Sequence, residues 1–172
     1  GGLIDATGGF NFADTNNIIS VKGAKADFLN AAKEGAFVYM IENNEIFMFN
    51  SSIANLETDR GGAVYADFDN LVYVENCVLN NTMASLGGFF FLGDRNILKV
   101  NNSFFNNISA VYGGVLISFY SNRIELQNSK VNLSRCNNGS IAYLVGGTLY
   151  GSEIIVNETS VQLQRSSNHG GG

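Results

Sequence analysis

Short apolar runs alternate with polar corners along this chain, and the alternation recurs every 26 residues. Ile46, Val72, Leu98 and Ile124 fall in one column, and Met48, Val74, Val100 and Leu126 in a second, two residues along. Between them Phe47, Tyr73, Lys99 and Glu125 are mixed in character, as a solvent face would be. Period-two alternation held in phase over successive repeats marks a half-buried strand stacked on its own copies. A second run gives Ile53, Leu79, Phe105 and Val131 as another inward column, and a third covers Ala63–Asp67 and its successor Phe89–Leu92. Such runs are too short for helices. Only Ala24–Lys33, where alanine and charges cluster, has a helix-like composition. Three strands per repeat, each pairing in parallel with its equivalent one repeat later, predict an all-β, right-handed parallel β-helix, a solenoid of about five to six rungs. Residues 1–172 read as a single domain.

The corners agree with this reading. Gly61-Gly62, Gly87-Gly88 and Gly113-Gly114 keep the period, with Gly35-Ala36 before them, Gly139-Ser140 after them and Gly8-Gly9 near the start. Asn44, Asn70, Asn96 and Asn122 share one column; Asn50, Asn76, Asn102 and Asn128 share another, directly after the first strand. Glycine enters the left-handed backbone region freely and asparagine tolerates it, so both suit sharp bends. Stacked asparagines can also bond to one another along the axis. The chain holds no proline, which could not donate to a ladder.

Charge narrows the partners. The net charge is −5, charged residues make up 15%, and no basic cluster occurs, which argues against nucleic acid. No apolar run approaches the length of a membrane span. Without a starting Met or a signal peptide, the chain reads as a mature protein or as an excerpt of a longer one. Cys77 and Cys136 sit in different columns, more than two repeats apart, and read as free thiols with no disulfide between them.

Asn-x-Ser/Thr occurs at Asn50, Asn80, Asn101, Asn107, Asn132, Asn138 and Asn157, among 24 asparagines. One reading is corner chemistry in an asparagine-rich solenoid. The other is a secreted glycoprotein with N-linked glycans on exposed turns. On that reading Asn80, Asn101, Asn107, Asn132, Asn138 and Asn157 are the candidate acceptors, and Asn50 stays bare because its side chain serves the bend.

The pairing of Gly61-Gly62-Ala63-Val64 with Phe104-Phe105-Asn106-Asn107 resembles the repeat of the chlamydial polymorphic outer-membrane autotransporters. That family carries alternating GGA(I/L/V) and FxxN tetrapeptides in a β-helical passenger. Similar repeats occur in large secreted β-helix proteins of protists and algae. The resemblance spans residues 8–147, and one repeat matches both tetrapeptides strictly. Gly87–Phe90 and Gly113–Leu116 lack the alanine, and Val78–Asn81 lacks the phenylalanine. The resemblance implies an extracellular adhesive or structural role and supplies no catalytic residues.

Many parallel β-helices cleave polysaccharides, using clustered carboxylates with a base or a pair of aspartates around the scissile bond. Here Asp67 and Asp69 share one turn, Asp94 lies a repeat later, and Arg95 is the only cation beside them. His169, the sole histidine, lies in a glycine-rich tail. No nucleophile–base set, phosphate loop or metal spacing is present, so no enzymatic activity, cofactor or metal is expected.

The third strand is apolar in adjacent columns, which cannot both point inward on a regular strand. Either a bulge or a covering loop hides one of them, or an aromatic stripe of Phe37, Tyr39, Tyr65, Phe89, Phe91 and Tyr143 faces outward to meet another chain or a glycan. Gly1-Gly2 and Gly170-Gly171-Gly172 resemble glycine corners without caps, so the chain is read as a segment of a longer helix or as a unit that stacks end to end. The leading expectation is a non-enzymatic, glycosylated, self-associating β-helix subunit of a fibre or surface appendage, located extracellularly or at the cell surface. The alternative is an adhesin-like or carbohydrate-binding passenger domain.

Overall fold

In a computed structural model, residues 10–12, 15–31, 33–139, 141–145 and 153–169 form three parallel sheets and no helix. The first sheet stacks β1 (Phe10–Phe12), β4 (Val38–Glu42), β7 (Val64–Phe68), β10 (Phe90–Asp94), β13 (Leu116–Ser118) and β16 (Ala142–Leu144). The second stacks β2 (Ile18–Lys22), β5 (Glu45–Phe49), β8 (Leu71–Glu75), β11 (Ile97–Asn101), β14 (Arg123–Gln127) and β17 (Glu153–Asn157). The third holds the long strands: β3 (Lys25–Asn30), β6 (Ser52–Arg60), β9 (Val78–Leu86), β12 (Phe104–Tyr112), β15 (Lys130–Asn138) and β18 (Ser160–His169). Each rung contributes one strand to each sheet, giving the parallel β-helix expected from the columns. Gly1-Gly2, Gly8-Gly9 and Gly170–Gly172 lie outside the described residues.

Register follows the sequence columns. Leu98 pairs with Val72 on one side and Ile124 on the other, and Ile46 pairs with Val72. All four are fully buried, as are Met48, Val74 and Leu79. The alanines of 24–33 gave no helix: β3 occupies this segment, with Ala26 and Leu29 inside. Packing of the rung above decides here over helix propensity.

Each turn contains several left-handed corners, and they recur in columns. Asn50, Asn76, Asn102 and Asn128 have φ of 50°, 54°, 46° and 49°, and Gly23 takes the equivalent place in the first rung. Asn43, Asp69, Arg95 and Ser121 form a second such column, and Gly35, Gly61, Gly87, Gly113 and Gly139 a third. The fourth lies within the long strands, at Asn55, Asn81 and Asn107 with φ of 55°, 54° and 51°. It interrupts the register of β6, β9 and β12 partway along.

Corner lengths differ in what they tolerate. From second sheet to third, the offset between paired strands never changes: Ile18 to Lys25, Glu45 to Ser52, Leu71 to Val78, Ile97 to Phe104, Arg123 to Lys130 and Glu153 to Ser160. From first sheet to second it varies. Val64 to Leu71 sets the usual spacing, Phe10 to Ile18 is one residue longer, and Ala142 to Glu153 is four longer.

The first sheet breaks strict alternation. The Phe89 and Phe90 N–H groups both donate to the Val115 carbonyl, at 2.8 and 3.0 Å, and those of Phe37 and Val38 both donate to Ala63, at 3.2 and 2.9 Å. Two residues against one carbonyl form a bulge, which turns both side chains inward. Phe37, Phe89 and Phe90 are therefore fully buried in the main core. The outward stripe expected from the sequence loses Phe37 and Phe89 for this reason.

Candidate functional site

Beyond the bulge, alternation resumes and Tyr39, Tyr65, Phe91, Ile117 and Tyr143 stand on the outer side of the first sheet. They stack along the axis. Tyr39 and Tyr65 rings lie 5.0 Å apart, Tyr65 and Phe91 4.5 Å apart and nearly parallel. Yet Tyr65 is only 7% exposed, Phe91 6% and Ile117 2%. Leu86, Tyr112 and Phe119 pack over them as a second, smaller apolar cluster. The Arg60 guanidinium sits 5.9 Å from the Phe91 ring centre, a cation–π contact. The ends of the long strands thus cover this column from within the chain. Burial, with the Asp67 charge second, pushes the Tyr65 hydroxyl up to about 12.

A more open aromatic group lies on the second sheet. Phe47, Phe49 and Tyr73 are half-buried, with ring centres 5.7–6.4 Å apart. Sequence reasoning passed over it as a mixed solvent face. The signal was Phe47 and Phe49 on one side of a strand, with Tyr73 one repeat on.

Polar side chains form continuous ladders along the axis. In the buried ladder, Asn17 Nδ2 donates to Asn44 Oδ1 at 3.0 Å, Asn44 to Asn70 at 3.3 Å and Asn70 to Asn96 at 3.1 Å. Backbone N–H groups join the same oxygens: Asn44 to Asn70 at 2.9 Å and Asn96 to Asn122 at 2.6 Å. The outer ladders donate the opposite way, from Asn107 to Asn81 at 2.7 Å and from Asn81 to Asn55 at 2.8 Å. Asn102 donates to Asn76 at 2.5 Å, within the bend column where axial bonding was expected.

A hydroxyl ladder adjoins it. Ser51 Oγ donates to the Phe49 carbonyl at 2.8 Å and accepts the Ala24 N–H at 3.2 Å. Ser103 and Ser129 repeat the arrangement: Cys77 N–H reaches Ser103 Oγ at 3.1 Å and Ser103 N–H reaches Ser129 Oγ at 3.2 Å. Cys77 puts a sulfur in this column, 3.3 Å from the Glu75 carbonyl. It and Cys136 are free and buried, and burial pushes both thiols up.

The candidate acceptors occupy different settings. Asn107 and Asn157 are exposed; Asn80, Asn101 and Asn132 are half-buried; Asn138 is buried. Asn107 and Asn132 already spend Nδ2 in ladders, on Asn81 at 2.7 Å and on Asn106 at 3.2 Å. Asn101 Nδ2 reaches Glu75 at 3.4 Å.

The acidic corner is closed by its own cation. Arg95 makes a two-point contact with Asp69, at 2.8 and 2.7 Å, and reaches Asp94 at 2.6 Å. The Arg95 hydrogen bonds hold Asp69 below the usual carboxylate range, whereas burial and the Glu34 charge raise Asp67. His169 ends β18, paired in register with Asn138. Among the described residues, no group of three His, Cys, Asp or Glu side chains could hold a metal ion, and no helix is long and apolar enough to cross a membrane. A trough of about 610 Å³ runs beside the ends of β6, β9 and β12, with Glu57, Asp59, Met83, Ser109 and Val111 along it. No protein-family model, curated protein or solved structure matches the chain.

Proposed function

We propose that this chain is a non-enzymatic structural protein of the extracellular space or cell surface, an N-glycosylated β-helix subunit that associates with copies of itself. The observation that carries this reading is the axial ladder system. Amide and hydroxyl ladders tie rung to rung at successive corners, so the polar side chains are invested in holding a rod together. A rod stiff along one axis suits a fibre or an appendage. The half-buried group of Phe47, Phe49 and Tyr73 offers a lateral contact, worth about 1.5–3 kcal/mol for each ring fully covered. Sedimentation of the purified chain, with electron microscopy of the native particle, tests this. Filaments or laterally paired rods are expected, and a monomer at high concentration would overturn it.

A second reading, a carbohydrate-binding adhesin module, draws on the trough beside β6, β9 and β12. Met83 is 56% exposed there, among Glu57, Asp59 and Ser109. A trough whose lining mixes polar and apolar side chains suits a sugar chain. Soluble polysaccharide that binds the wild type but not Met83→Glu would favour this reading over the first.

A further inference from the structure

One amide ladder stops short. On the outward side of the third sheet, Asn132 Nδ2 donates to Asn106 Oδ1 at 3.2 Å, and Asn106 Nδ2 donates to Asn80 Oδ1 at 3.0 Å. The next position in register is Ala54, which offers no side-chain acceptor. Asn80 therefore ends the ladder: it accepts a bond from Asn106 Nδ2, and no side-chain acceptor stands at the register position on its other side. A substituent on that nitrogen would break no rung of the ladder.

Two residues on, Thr82 is buried at 3% exposure, and its hydroxyl has no hydrogen-bond partner. Its register neighbours are Leu56 and Ile108, so apolar side chains fill this column above and below. A buried hydroxyl without a partner is a net cost to the fold. The folded chain gains nothing from it that valine would not supply. At two other sequons the hydroxyl is used: Ser103 and Thr159 both bond into the corner ladder.

We propose that Asn80 carries an N-linked oligosaccharide and that the Thr82 hydroxyl is retained for recognition of Asn80-Asn81-Thr82 before the rung closes. In this transfer the Asn80 amide nitrogen attacks the anomeric carbon of a sugar carried on a lipid diphosphate. The N–C bond forms, the C–O bond to the diphosphate breaks, the lipid diphosphate leaves with the electron pair, and one amide proton passes to a base of the transferase. This site assignment rests on the extracellular reading above.

Native material, and the same chain secreted from a eukaryotic host, would be treated with an amidase that converts each glycosylated Asn to Asp, then mapped by mass spectrometry. Conversion at Asn80 in most molecules is expected. Thr82→Ser should keep it and Thr82→Val should abolish it. Made in bacteria without glycans, Thr82→Val should melt no lower than the wild type. Modification at Asn107 or Asn157 with Asn80 bare would overturn the assignment yet leave the glycoprotein reading standing. Absence of modification at every sequon in native material would overturn both. A lower melting temperature for bacterial Thr82→Val would show that the hydroxyl serves the fold, and the explanation for its retention would fall.

Discussion

Asn96 receives both the backbone N–H and the side-chain amide of Asn70 on a single carbonyl oxygen, at 2.9 and 3.1 Å. Its own Nδ2 reaches the Asp67 carbonyl at 3.0 Å. Removing this side chain orphans the buried Asn70 N–H, leaves Asn70 Nδ2 with the Ile41 carbonyl alone, and opens a gap in a buried column. Asn96→Ala should cost at least about 3 kcal/mol, read by chemical denaturation. A loss below about 1 kcal/mol would mean the ladder is incidental to stability.

The hydroxyl ladder makes a smaller, separable contribution. Ser103→Ala removes the acceptor of the Cys77 N–H and should cost about 1–3 kcal/mol. Cys77→Ser restores oxygen to the column and should leave the fold intact. Unfolding by Cys77→Ser would show that sulfur volume matters more than corner bonding.

Two glycines separate close approach from conformational freedom. A Cβ on Gly88 would lie 1.9 Å from the Gly114 carbonyl oxygen and 2.4 Å from the Ile108 methyl, so Gly88→Ala should prevent folding. Gly23, at φ +63°, has nothing within 4 Å of a Cβ. Gly23→Asn should fold normally, since asparagine holds this corner at Asn50 and Asn76. Comparable circular dichroism and melting for the two variants would contradict this division.

Alkaline stability should depend on Tyr65. Burial raises its folded value to about 12 from an ordinary 10.0. The folded chain then holds a proton that the unfolded chain releases, so stability is lost as pH rises from about 10 toward 12. The loss attributable to this group is about 2 kcal/mol at the upper end. Tyr65→Phe should flatten that decline. Asp69 works with the opposite sign: lowered by Arg95, it contributes above the ordinary carboxylate value and loses that contribution as pH falls through its folded value. Denaturation midpoints measured across pH, with Tyr65→Phe and Asp69→Asn alongside, would check both arms.

Replacing Tyr65 and Phe91 together with glutamate should lower stability, because both rings lie beneath Leu86 and Tyr112. Phe47→Glu with Tyr73→Glu should leave the melting temperature close to wild type while weakening any lateral association. Sedimentation and thermal melting of the two double variants separate a cover made by the chain itself from a contact between chains.

The stacked strands were legible because translation by one rung repeats the same side-chain choice: Val72, Leu98 and Ile124 announce their shared environment. The inward turn of Phe89 was not, since it depends on two N–H groups sharing the Val115 carbonyl, and no residue type encodes that bulge. Axial bonding was read at Asn50, Asn76, Asn102 and Asn128, where left-handed corners do occur, but the buried ladder belongs to Asn44, Asn70, Asn96 and Asn122. Both columns hold asparagine, and sequence alone does not say which faces inward. The serine column at Ser51, Ser103 and Ser129 was visible in the sequence at the same spacing and was overlooked because Cys77 interrupts it.

The two kinds of corner give the chain separate zones for constancy and novelty. The turn from second sheet to third carries the bend asparagines and the hydroxyl ladder, and its length never varies across the six strand pairs. The turn from first sheet to second absorbs one extra residue near the start and four near the end while the strands on both sides keep their pairing. Foreign sequence grafted there can change the length of the turn as long as Asn44, Asn70, Asn96 and Asn122, whose buried ladder runs through this corner, stay in place. Such a scaffold can lengthen by duplicating whole rungs and diversify by decorating one edge, so its growth and its surface chemistry evolve independently.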